Sequence, residues 1–185
     1  MIYHMPLFAA GLAAGILLIL SHAFALAREE SCIGWAKMFP RSRPAATALL
    51  AVAAVWSFWL VSAIDLGEFS SLRSVMLAAI VAGAILSWIY VPEFLAVRSL
   101  GMLLLLAADP LLESAVLRTE PSRLLLVILA YAWVVAGLFF VGMPYLLRDA
   151  IAWVTASPLR WKSAAAGGVA WGIALVACAL LAWRL

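Results

Sequence analysis

Residues 7–27 carry no Asp, Glu, Lys or Arg, and five further stretches are nearly as apolar: about 45–64, 72–90, 92–108, 124–143 and 163–183. A helix needs about 20 such residues to cross the hydrocarbon core of a bilayer. Inside lipid the backbone must satisfy its own N–H and C=O groups, which leaves helices and closed barrels. These runs are continuous rather than alternating at every second residue, so a barrel is excluded. The fold class that follows is an all-α integral membrane protein. It is a bundle of six transmembrane helices with one or two short interfacial amphipathic helices.

Composition agrees. Of 185 residues, 68% are hydrophobic and 11% charged, against about half and a quarter in soluble domains. So few charges cannot cover the surface of a soluble fold of this size. The connections are short, so residues 1–185 read as one transmembrane domain without a soluble head. The net charge of +3 is too weak to point to nucleic acid. The first run also resembles a secretion signal, with Ala23-Phe24-Ala25 as a cleavage-like site. Its leading residues, MIYHMP, lack the positive charge of a signal, so it reads as an anchor helix.

The bases sit at the ends of apolar runs. Residues 28–44 carry Arg28, Lys37, Arg41 and Arg43 against Glu29 and Glu30, and residues 148–162 carry three bases and one acid. The intervening loops are acidic or mixed. The positive-inside rule therefore puts loops 28–44 and 148–162 in the cytoplasm, and the expected location is a bacterial inner (plasma) membrane. Trp35, Trp88, Tyr90, Trp153, Trp161 and Trp183 mark run ends in the manner of an aromatic belt. Residues 148–158, bracketed by Pro144 and Pro158, read as a helix lying in the inner interface.

The stretch LLLLAADPLLESAVLR, residues 103–118, admits two readings. In one, a long helix over 94–118 carries Asp109 deep into the membrane, with Glu113 one turn on along the same face and a kink at Pro110. A mid-bilayer charge costs about 2.5 to 3.5 kcal/mol on insertion scales, so such acids would face a cavity, a counter-charge or a proton path. In the other, the span covers 92–108, Pro92 and Asp109-Pro110 are both helix starts, and a short interfacial helix follows. Local rules favour the second. In both, Arg98 lies about one turn inside the span. It is expected to snorkel to the interface, or to pair with a neighbouring subunit.

Signals for chemistry are sparse. His4 and His22 share one helix region and lie about 27 Å apart, too far for a haem site within this chain. Cys32 and Cys178 have no metal-ligand spacing. No metalloprotease, nucleophile-elbow or phosphate-loop motif occurs, and no catalytic residue, metal or cofactor is assigned. Packing signals are clearer: Gly11 and Gly15 form one GxxxG, and Gly168 and Gly172 form another. Such faces let helices approach closely, within the chain or across subunits. The two halves of the chain show no aligned motif that would mark an inverted repeat. The expected function is a non-enzymatic multi-pass subunit that scaffolds or anchors a membrane protein complex. Its partners would be membrane lipids and other membrane subunits, or further copies of itself. A small proton- or cation-coupled transporter or channel using Asp109, Glu113 and Arg98 is the alternative, and a membrane enzyme acting on lipid is the third.

Overall fold

The computed structural model describes residues 2–183. These form eight α-helices: α1 (Leu7–Ala27), α2 (Glu29–Met38), α3 (Arg43–Ala63), α4 (Arg73–Tyr90), α5 (Leu95–Ala115), α6 (Leu124–Gly142), α7 (Tyr145–Thr155) and α8 (Pro158–Ala182). No strand occurs among the described residues. Six helices, all but α2 and α7, are long and apolar enough to cross a membrane. They run alternately up and down. Call the end where Leu7 lies the near end; α2 and α7 then sit together at the far end, where Lys162 reaches Glu29 at 3.5 Å.

The central element is α5. It contributes Ala108, Leu111 and Ala115 to a core shared with α1, α6 and α8, where Leu7, Leu126 and Leu175 are almost fully buried. At its other end Leu95, Ala96 and Val97 pack on Phe39, Ala46 and Leu50. Helices that cross a membrane gain no hydrophobic drive from lipid to pack on one another, so close approach must replace it. Glycines provide it. A Cβ on Gly15 would lie 2.9 Å from the Gly172 carbonyl, and one on Gly172 would lie 2.8 Å from the Gly15 carbonyl. Gly101 and Gly137 do the same for α5 and α6, each 2.8 Å from the other's carbonyl oxygen. By contrast α4 buries no residue and packs on α3.

Helix C-termini leave carbonyls without intrahelical donors. In this bundle, cationic and indole side chains from neighbouring segments fill several of them. Arg73 donates to Ile64 O at the end of α3, and Arg123 to Ala115 O at the end of α5. Arg98 donates to Val141 O at the end of α6, and Arg160 to Trp153 O near the end of α7. The Trp161 indole donates to Ala25 O at the end of α1. Positive charge there also complements the helix dipole.

Several expected boundaries need correction. α5 runs unbroken through Asp109-Pro110, so the span does not stop at residue 108 and no separate interfacial helix follows. Pro110 deprives Leu106 O of a donor, but Ala108, Pro110, Leu111, Ser114 and Ala115 are all buried. Tertiary packing thus overrides the local cap signal. The long alternative, 94–118, overshoots: the helix ends at Ala115. Pro92 and Glu93 lie in the turn before α5, and Phe94 begins it in the left-handed region at φ 55°. Residues 29–38 are helical rather than loop, with Glu29 and Glu30 in the first turn and Lys37 in the last, each favourable to the dipole. α8 starts at Pro158 rather than 163, and α7 covers Tyr145–Thr155 rather than 148–158. Trp183 is not a belt residue: it is 4% exposed, fills the notch at Gly11 and donates to Ser122 Oγ at 2.9 Å.

Candidate functional site

The densest polar arrangement lies at the near end, between α5, α3 and the residues ahead of α1. Glu113 lies half-buried half a turn from the end of α5. Its carboxylate accepts three successive backbone N–H groups: Ile2 at 3.0 Å to Oε2, Tyr3 at 3.2 Å to Oε1 and His4 at 3.3 Å to Oε1. Three amides converge on one carboxylate because the chain turns sharply there, with His4 at φ 46°. Hydrogen bonds to an ionised acceptor are about twice as strong as neutral ones. The segment ahead of α1 is therefore strapped across the end of the bundle.

Tyr3 secures the strap on its other side. Its hydroxyl accepts the Trp56 indole N–H at 2.8 Å. Its ring stands edge-on to Trp56, with centroids 6.5 Å apart, and tilted against Trp59 at 5.6 Å. Trp56 and Trp59 share one face of α3, as their spacing predicts, and that face receives the strap. Burial pushes the Tyr3 phenol up from its ordinary value; the Trp56 hydrogen bond opposes this, and the charges of Asp109 and Glu113 add to it. The strap thus holds a neutral phenol beside two carboxyl groups.

Asp109 precedes Glu113 by one turn and lies six residues, about 9 Å, before the end of α5. Its side chain is exposed, and among the described residues it has no hydrogen bond or ion pair. The two acids share one face, but Arg98 belongs to the opposite end of α5, where it donates to Val141 O at 2.7 Å. Arg98 Nε is buried without a hydrogen-bond partner. The three residues therefore do not form one site. Gly11 lies against Trp183, Gly15 against Gly172, and Gly168 against the His22 ring. Both glycine pairs are thus occupied within the chain, on the α1–α8 crossing.

His22 lies at the far end, with Nδ1 2.9 Å from Leu18 O and 3.1 Å from Ser21 Oγ. A carbonyl can only accept, so the first contact favours a proton on Nδ1. Cys32 and Cys178 are free thiols. No group of three or more His, Cys, Asp and Glu arranged to hold a metal occurs among the described residues.

The strap escaped sequence reasoning because its donors are backbone amides, which every sequence carries. The only sequence signal was an aromatic and a histidine crowded just ahead of an apolar run. The Gly101–Gly137 crossing was also missed, because neither glycine belongs to a GxxxG. Comparison with family models, with curated proteins and with solved structures finds no match for this chain.

Proposed function

We propose that the chain is a non-enzymatic multi-pass membrane subunit that scaffolds or anchors a larger membrane assembly. The observation that carries this reading is α4. Its span has the same mean hydropathy as α3, 1.9, yet none of it is buried, against 44% for α5. Ala79, Ala82 and Gly83 lie exposed along it, and a Cβ on Gly83 would meet nothing within 4 Å. Small residues are where helices associate in lipid, and in the α1–α8 and α5–α6 crossings of this chain they are already filled. The partner class is a transmembrane helix of another subunit, a second copy included.

The location that fits is a bacterial inner (plasma) membrane with the far end in the cytoplasm. Lys37, Arg41, Arg43, Arg148 and Arg160 gather at that end, in keeping with the positive-inside rule. There α2 and α7 would lie in the headgroup layer, with Trp35 and Trp153 exposed to it.

A photo-crosslinking side chain at position 83, in cells, tests the scaffold. A discrete protein adduct is expected at 83 and none at Leu20, an equally lipid-facing position on α1 (65% exposed). Lipid adducts alone at both positions defeat the reading. One observation favours a second reading, a small proton- or cation-coupled transporter: Asp109 is an exposed carboxylate inside a span, beside Glu113. Flux in liposomes that is abolished by Asp109→Asn would establish it; flux indifferent to that change would remove it.

A further inference from the structure

At the far end, between α3 and α4, an apolar groove of about 340 Å³ is lined by Ala46, Thr47, Trp88, Ile89 and Leu95. The Trp88 indole donates to Thr47 Oγ1 at 3.3 Å and ties its two walls together. Arg43 and Pro92 form its lip. Beyond that lip lies a second hollow of about 440 Å³, walled by Arg41, Arg43, Glu93 and Phe94. A third, sharing Arg41 and Arg43, adds Lys37.

The charges at this mouth are unspent. Arg73, Arg98, Arg123 and Arg160 donate to helix carbonyls. Among the described residues neither the Arg41 nor the Arg43 guanidinium has a hydrogen bond or ion pair, and both residues are exposed. Glu93 shares the hollow but lies beyond salt-bridge distance of either. Three bases against one acid leave the mouth positive. The start of α3, where Ser42 Oγ accepts Ala45 N–H, adds the positive end of a helix dipole. Phe94, in the left-handed region at φ 55°, lies along one side of the mouth.

We propose that this groove binds an anionic phospholipid, its phosphate between Arg41 and Arg43 and an acyl chain along the cleft between α3 and α4. The polarity order fits that molecule: a basic mouth at the end of the spans and an apolar cleft running into them. A free anion would leave the cleft unused, and a zwitterionic lipid would leave the mouth uncompensated. Basic pockets between spanning helices on the cytoplasmic side are suited to such headgroups. The site is independent of the scaffold reading.

The test is native mass spectrometry of the full chain in mild detergent, titrated with dioleoylphosphatidylglycerol and, separately, dioleoylphosphatidylcholine. The wild type is expected to prefer the anionic lipid. Arg41→Gln with Arg43→Gln lowers that affinity roughly thirtyfold, whereas Arg41→Lys with Arg43→Lys retains most of it. Arg148→Gln with Lys162→Gln, removing two bases at the same end but outside the groove, leaves it unchanged. Thr47→Phe fills the cleft, keeps every charge, and lowers lipid affinity without weakening competition by inorganic phosphate. The proposal is overturned if the two lipids bind alike, if the Arg148/Lys162 pair matters as much as Arg41/Arg43, or if Thr47→Phe has no effect.

Discussion

A single methyl group separates two kinds of glycine in this bundle. On Gly15 it would meet the Gly172 carbonyl at 2.9 Å; on Gly83 it would meet nothing. Gly15→Ala should therefore cost about 1 to 3 kcal/mol through overpacking, and Gly83→Ala should gain up to about 1 kcal/mol of helix propensity. Thermal unfolding in detergent would show the opposite signs. At the strap, Glu113→Gln replaces an ionic acceptor by an amide, and hydrogen exchange at Ile2, Tyr3 and His4 should quicken roughly tenfold. Tyr3 gives a pH dependence. The folded chain holds the phenolic proton more tightly than the unfolded one. Its contribution is therefore full below the ordinary phenol value of about 10 and lost as pH rises through the raised one. Strap protection should fall over that alkaline range in the wild type, and Tyr3→Phe should remove the step.

At the scale of elements, helix cores were legible and helix ends were not. Residues 7–27 form the helix their uninterrupted apolarity dictates, because nothing competes with it. Asp109-Pro110 misled because its cap grammar is local, whereas its buried neighbours are held by three other helices that no local rule sees. The arginine contacts were not legible: Arg73, Arg98 and Arg123 each reach a neighbouring helix's last carbonyls, a contact set by spatial adjacency. Arg98 offers the sharpest check. Arg98→Leu strips Val141 O of its donor and should cost about 1 to 2 kcal/mol, while Arg98→Lys should recover part of it. Unfolding midpoints of the two variants would separate capping from mere snorkelling, which either long side chain satisfies.

For the whole molecule, the number of helices long and apolar enough to cross a membrane was readable from apolar length alone, and their arrangement was not, since six similar greasy runs carry little information about neighbours. With six crossings, residues 69 and 157 lie at opposite ends of the bundle. In a Cys32→Ser, Cys178→Ser background, Phe69→Cys and Ser157→Cys should react with an impermeant maleimide from opposite sides of sealed vesicles; same-side labelling would contradict the alternation. The α1–α8 crossing has a further consequence for biogenesis. Its two helices meet through contacts as distant in sequence as Ala25 and Trp161, 136 residues apart. At 5–20 residues per second, a ribosome would add that stretch in on the order of ten seconds. Where the chain inserts as it is synthesised, α1 spends that interval with its notch vacant until its mate emerges.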